Sequence, residues 1–435
     1  MQLSEKQERN WSVGLFALGL GIGLLMVWNS QIGGDQSLML DLGWSLYHDG
    51  VWLPYGMPTS AGGRSPGGLT GLLVGLPLYV WSDYRAPALF TLILHAAAFL
   101  LLWRLLKPAL SGAGRLLLLL LVWLAPWHLY FAAHIWNANY MFVFAVLHLA
   151  STQRMARYRE AWSTCLHVLL IALAMQAHTS AFVLAILSLL LFLNMQIKVH
   201  WGGFVIGALL GIASFVPWVL AIQHDPTLAP GEKGFFLRGL IYVFPLVRGV
   251  LYSLEMPTLS VASRMIDFDF TPALGASINA WLGPVAKAMG IAMHVSLLAS
   301  LWASWRFFKK ARHLLHWRTI TPDRPRAWLR RYIALASVAA LISFAISPTT
   351  TMFWQAFVIL PAIALILVMA GEALLRSGWR QHTTLTIKVW GMATVMLLLC
   401  QAIGAPLYRC GGRELGPMNA MLEALHVDGQ CIQPH

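Results

Sequence analysis

The chain has 435 residues, of which 58% are hydrophobic and only 11% charged, with a formal net charge of +13. Long apolar runs recur from Trp11 to Ala405 with brief polar interruptions, which excludes a soluble globular protein and, because the runs do not alternate polar and apolar positions, an outer-membrane barrel. The basic residues cluster in short loops, so the positive charge reports membrane topology and not a nucleic-acid partner.

Helices are what remains to cross the bilayer. The expected fold class is all-α: a polytopic integral membrane protein with about eleven transmembrane helices and further helices lying at its outer face. The predicted spans run over 11–29, 85–105, 114–132, 140–153, 162–177, 180–197, 202–222, 277–304, 331–347, 352–372 and 385–404. The run at 140–153 is short and has to borrow neighbouring residues. Lys6 and Arg9, then Arg104, Lys107 and Arg115, then Arg154, Arg157 and Arg159, then the stretch from Arg306 to Arg331, then Arg376, Arg380 and Lys388 alternate with loops that are neutral or acid-bearing. Lys and Arg accumulate in the cytoplasm, which places the amino terminus inside and the carboxyl terminus outside. The first apolar run lacks a small-residue cleavage site and has the length of a span, and is read as retained.

Two outer segments, 30–84 and 223–276, are much longer than turns. The first opens with "DQSLMLDLGWSLYHDG", a surface-lying helix with Asp35 at its start. It continues through the Gly/Pro-rich "PYGMPTSAGGRSPGG" to "LTGLLVGLPLYVW", which is too short to span and is laid in the interface with Trp81 and Tyr84 at headgroup level. The second contains "RGLIYVFPLVRGVLYSLEMP" and reads as interfacial or re-entrant. Neither segment requires a soluble domain. No internal repeat is visible, which weighs against the paired broken helices common in transporters.

Polar signals gather on the outer side: Asp35, Arg64, "HIWNANY" at 134–140, "QAHTS" at 176–180, and Arg238 with Arg248. Asp35 reads either as a helix cap beside a positive dipole end or as a catalytic acid, since a carboxylate at a bilayer edge needs a partner or a wet cavity. Asp41, six residues on, falls well around the helix from Asp35 and reads as structural in the first instance. Asn137 and Asn139 are caps for the next span or donors to a sugar or phosphate. His134 and His128 flank that lip, while Gln176 and His178 sit with two hydroxyls at the next; structural and binding roles weigh evenly there. Arg64 stands among glycines that leave the backbone open to a ligand, and arginine suits bidentate phosphate contact. Arg238 and Arg248 read equally as a phosphate site or as contacts to anionic headgroups. Cys165 and Cys400 lie in apolar runs. Cys410 and Cys431 lie in the outer tail, where they pair in an oxidising compartment or stand as two unrelated thiols.

Four stretches, in order, carry a resemblance. "GDQSLMLDLGWSLYHDGVWLPYGMPTS" resembles an Asp-Glu or Asp-Gln opening that runs through a surface helix to a Gly-x-Trp and Pro turn. "SPGGLTGLLVGLPLYVW" is similar to an outer juxtamembrane helix, "IWNANY" to a Trp-Asn-Pro-Asn motif, and "MQAHTSA" to a Gln-x-His-Pro-Thr motif. Together, over residues 10 to 225, they resemble the GT-C glycosyltransferases related to protein mannosyltransferases and the lipid A aminoarabinose transferase.

The resemblance implies a catalytic transmembrane module over 1–225, a variable transmembrane region over 226–405 and an outer tail over 406–435. It implies an inner-membrane enzyme that moves a monosaccharide from a polyprenyl-phosphate carrier to a periplasmic glycan, lipid A or protein acceptor. Asp35 matches the catalytic aspartate and Arg64 a basic residue near the carrier phosphate. The sequence departs from the family at Gln36, where a subgroup has Glu, and at Ala138 and Ala177–Thr179, which lack its prolines. Asn replaces the acids that metal-using relatives carry in the second outer loop, so no cofactor or metal is expected. The rival classes are a flippase or transporter for a lipid-linked sugar, and a polymerase or ligase for oligosaccharides. Charged mid-span residues are scarce, Lys287 near one end apart, which disfavours the transporter.

Overall fold

The computed structural model describes residues 4–30, 32–59, 62–229, 243–260, 268–311, 323–347, 351–406 and 418–427. In chain order the helices are α1 (Glu5–Trp28), α2 (Gly34–Tyr47), α3 (Leu69–Leu78), α4 (Arg85–Leu106), α5 (Gly112–Leu118), α6 (Pro126–Ala132), α7 (Tyr140–Arg157), α8 (Ala161–Ala177), α9 (Phe182–Leu193) and α10 (Trp201–His224). They continue with α11 (Val243–Glu255), α12 (Thr271–Leu274), α13 (Ala276–Ala292), α14 (Ser296–Ala311), α15 (Pro325–Ala345), α16 (Leu360–Leu375), α17 (Arg380–Ile403) and α18 (Asn419–Ala424). Two small antiparallel pairs complete it: β1 (Tyr55–Pro58) with β2 (Arg64–Pro66), and β3 (Phe268–Asp269) with β4 (Ala405–Pro406).

The chain is an all-α polytopic membrane protein. Among the described residues seven helices are long and apolar enough to cross a membrane, and eight if the bent pair Gly112–Trp123 and Pro126–Ala132 is one span. That pair turns by 56°. The cause is local: the ladder widens into a π turn over Leu119–Trp123, and Pro126 opens the next helix without an N–H to continue it. The helices α7, α8 and α9 coincide with three further predicted runs, α9 falling short of its run at both ends. The 140–153 run does extend, as α7, to Arg157.

Glycines set how closely the helices approach. Gly203, Gly207 and Gly211 lie four apart on one face of α10, and a Cβ on any of them would strike α8 at Ala161, Cys165 and Ala172 in turn. The order shows that α8 and α10 run parallel with α9 returning between them, and small residues in this spacing let membrane helices touch backbone to backbone. Gly43 of α2 is pressed in the same way against Val74 and Gly75 of α3.

Polar groups inside the bundle are bonded across helices. His148 of α7 bonds Tyr332 of α15 at 3.0 Å and Ser188 of α9 at 2.8 Å, and Ser188 is also 2.9 Å from His167 of α8. Each would be costly in hydrocarbon without a partner, so the network holds four helices in one register.

The two ends of the bundle differ. At one end Asn29 Nδ2 donates to the carbonyl of Ala402 at 2.6 Å, and the tail helix docks where Tyr84 N meets Leu425 O at 3.1 Å. The ends of α1 and α17, the start of α4 and the α18 segment therefore share this face. At the other, Glu8 pairs with Arg115, and fully buried Glu372 accepts from Ser111 N at 2.7 Å and pairs with Arg326 at 2.5 Å.

Candidate active site

Asp35 is the second residue of α2. The helix begins one residue earlier than the sequence suggests, because Gly33 takes the cap position and the Gln36 side chain accepts from Gly33 N at 3.0 Å. Gln36 thus makes the returning half of a capping box, bonding the cap residue's own N–H, and Asp35, half-buried, adds its charge to the positive end of the helix.

The Gly/Pro-rich stretch that reads as a loop forms the β1–β2 hairpin, with Tyr55 opposite Pro66 and Pro58 opposite Arg64. Arg64 lies over the Tyr55 ring at 5.3 Å. The hairpin packs on α2, and its charge reaches Asp41. Burial pushes the Asp41 carboxyl above the usual aspartate range, Arg64 pulls it back, and Asp49 raises it further. Asp41 thus faces the basic hairpin, an arrangement that sequence spacing does not reveal because the hairpin lies outside the helix.

The hairpin ends on Gly67, whose φ is +81°. A Cβ there would fall 2.2 to 2.5 Å from the side chain of Gln176. The Arg64 segment and the "QAH" lip, far apart in sequence, are therefore in direct contact. Gln176 is fixed from its other side by a 2.7 Å bond from Nε2 to Ser214 Oγ of α10. Two residues on, His178 Nδ1 accepts from Ser180 N at 3.1 Å and Ser180 Oγ at 2.8 Å. An accepting Nδ1 leaves the proton on Nε2, and burial holds the ring neutral by lowering its pKa to about 4.

His134 has the opposite tautomer. Its Nδ1 donates to the Tyr130 carbonyl at 2.6 Å while its ring stacks on Tyr130, so Nε2 keeps a lone pair. Burial lowers its pKa to about 4 against the opposing pull of that carbonyl. Asn139 is fully buried, and its Nδ2 donates back to the His134 carbonyl. Its own carbonyl accepts from His95 Nε2 of α4 at 2.9 Å, with His128 Nε2 3.1 Å from His95 Nδ1 behind it. His95, which lies in an apolar run with no motif around it, is the residue that anchors the asparagine loop. Asn137 is half-buried, with Oδ1 accepting from Ala138 N at 2.9 Å.

A 3-10 turn over Phe353–Ile359, inside a predicted span, receives both lips. Trp136 packs on Trp354 at 4.8 Å, and the turn also touches the Thr179–Ala181 turn. Arg248 of α11 reaches the same place, donating to Tyr252 Oη at 2.7 Å and lying 3.4 Å from Met352 Sδ. Arg238, Cys410 and Cys431 lie outside the described residues. Cys165 and Cys400 form no disulfide among the described residues.

Buried Ser65 Oγ, Asn139 Oδ1 and Thr351 Oγ1 have no hydrogen-bond partner among the described residues. Orphaned acceptors and hydroxyls of this kind normally meet water or a ligand. No group of three or more His, Cys, Asp or Glu among the described residues comes together as a metal site.

Among solved structures, the chain is similar to ArnT from Cupriavidus metallidurans in the apo state, at 15% identity and a TM-score of 0.45 over 95% of this chain and 80% of that one. It is also similar to the same protein bound to undecaprenyl phosphate, at 15% identity and a TM-score of 0.44 over 94% of this chain and 80% of that one. No protein-family model and no curated protein matches the chain.

Proposed function

We propose that the chain is an inverting membrane glycosyltransferase that moves a monosaccharide from a polyprenyl-phosphate carrier to an acceptor at the periplasmic face of the bacterial inner membrane. The observation that carries the reading is the seating of Gly67 on Gln176: it joins the basic hairpin to the third polar lip at one end of the bundle, the end where α2 presents Asp35. The ordered sequence motifs support the same reading independently.

The chemistry needs three things: a hydroxyl made nucleophilic, an anomeric carbon, and relief for the charge gained by the departing phosphate. Asp35 serves as the general base that takes the acceptor's proton as its oxygen bonds to the anomeric carbon. The sugar–phosphate bond breaks on the opposite side, and Arg64 stabilises the phosphate that leaves, with Arg238 or Arg248. Arg64 is held by the ring of Tyr55 and has no short ion pair among the described residues, which leaves its donors to phosphate. Asn137, His134 and His178 hold sugar hydroxyls, the two histidines offering one acceptor and one donor at neutral pH. Asn139 and Gln176 shape the loops that carry them. Asp41 tempers the charge of Arg64. The donor's prenyl tail lies in lipid beside the spans, and neither metal nor nucleotide takes part. The acceptor is a glycan, lipid A or a secreted or pilus protein.

The test is transfer from a labelled polyprenyl-phosphate sugar by purified enzyme. Asp35→Asn is expected to lose transfer by about 10²-fold or more while still binding the donor. A normal rate in that variant would remove Asp35 as the base, and net movement of intact lipid-linked sugar across sealed vesicles without transfer would favour a flippase.

A further inference from the structure

A cavity of about 730 Å³ lies far from the motif segments, between the start of α1, the end of α4 and the start of α5. This is the end of the bundle where Glu8 pairs with Arg115. Its volume falls within the ~300–1,000 Å³ of ordinary ligand pockets, and its floor is apolar. Phe16 and Phe99 stack at 6.2 Å, and Trp103 follows Phe99 at 6.3 Å along α4. The mouth carries Lys6, Arg9 and Lys107. Arg115 is neutralised by Glu8, but none of those three cations has an ion pair among the described residues. They face one further acid, Glu5.

A trough with an aromatic floor and a cationic rim, set at one end of membrane-crossing helices, is complementary to an amphiphile with an acidic head. A free anion would gain nothing from the rings, and a zwitterionic lipid would gain little from the net positive rim. We propose that this groove binds one anionic glycerophospholipid from the leaflet it faces, with the phosphate at Lys6, Arg9 and Lys107 and an acyl chain along Val13, Phe16, Leu100 and Trp103, over buried Phe99. Basic pockets between transmembrane helices take acidic headgroups on the same physical grounds. The bound lipid would tie α1 to α4 and α5 at the end where the Glu8–Arg115 pair already joins α1 to α5.

Native mass spectrometry of the full purified chain tests this, with phosphatidylglycerol or phosphatidylethanolamine of matched acyl chains added to the micelle. One phosphatidylglycerol per chain should survive activation and phosphatidylethanolamine should not. The Lys6→Gln/Arg9→Gln/Lys107→Gln variant should lose retention by about tenfold or more, whereas Arg380→Gln/Lys388→Gln, which alters basic residues elsewhere, should keep it. Should the triple variant fail to accumulate, Lys107→Gln alone changes one exposed side chain at the end of α4 and should cost about threefold. Equal retention of the two lipids, unchanged retention in the variants, the same loss in the Arg380/Lys388 control, or displacement by millimolar inorganic phosphate alone would each overturn the proposal. Retention is read without any sugar transfer, so the result is independent of the chemistry at the opposite end.

Discussion

Replacing Gly67 by alanine probes the junction on which the candidate site depends. Two costs are legible. At φ +81° an L-residue is strained, by about 1–2 kcal/mol in the left-handed region. The new Cβ would also lie 2.2 Å from Gln176 Oε1, so the glutamine side chain must turn away and release its 2.7 Å bond to Ser214, worth about 1 kcal/mol. Gly67→Ala should therefore lose about 2–3 kcal/mol of stability, read as a shift in denaturant-induced unfolding in mixed micelles. Gln176→Ala alone should lose about 1 kcal/mol. Because both single changes break the same Gln176–Ser214 bond, the double variant should be no less stable than Gly67→Ala, a coupling of about 1 kcal/mol. Strict additivity of the two changes, or a neutral Gly67→Ala, would refute the contact.

Three further outcomes are expected. Arg64→Ala should raise the KM for the lipid donor by about tenfold or more, the scale of a lost charge-assisted bond, and leave the acceptor KM in place; equal losses on both would count against a phosphate role. The buried rings of His134 and His178 titrate near 4 instead of the ~6.5 of an exposed histidine, so the stability they contribute is full above about 6.5 and is lost as the pH falls towards 4, where the unfolded chain has already taken up its protons. Thermal midpoints measured across that window should fall, and more shallowly in His134→Gln/His178→Asn; an unchanged slope in that variant would contradict the burial. Gly207→Leu drives a side chain into the backbone of Cys165 and should cost about 3 kcal/mol or more, seen as loss of a cysteine crosslink engineered between the facing surfaces of α8 and α10.

Much of this protein follows from local composition. Long apolar runs leave the helix as the only way to satisfy the backbone in lipid, which is why each predicted run overlaps an observed helix, although the run at 352–372 opens as a 3-10 turn and that at 277–304 is divided at Met293–Val295. The α2 boundary depended on hydrogen bonds between near neighbours, so the sequence located it only approximately, and the break before Pro126 falls inside a run over 114–132 that reads as one continuous span. The β1–β2 hairpin was not legible because its strands are short and rich in Gly and Pro, residues that mark turns and give little strand signal.

The polar residues divide in the same way. Asp35, Asn137, Gln176 and His178 stand out in sequence because each lies at the edge of an apolar run, where a polar group is expensive, and Arg64 because it stands among glycines. What each one meets was decided only in three dimensions. Asp41 faces Arg64, Gln176 rests on Gly67, and His95 holds the carbonyl of Asn139 from the middle of another helix. The tautomers of His134 and His178 follow from a carbonyl and an amide that each ring touches. Hydrophobicity acts residue by residue and is written along the chain, whereas a hydrogen bond between distant segments exists only once packing has set their distance and direction.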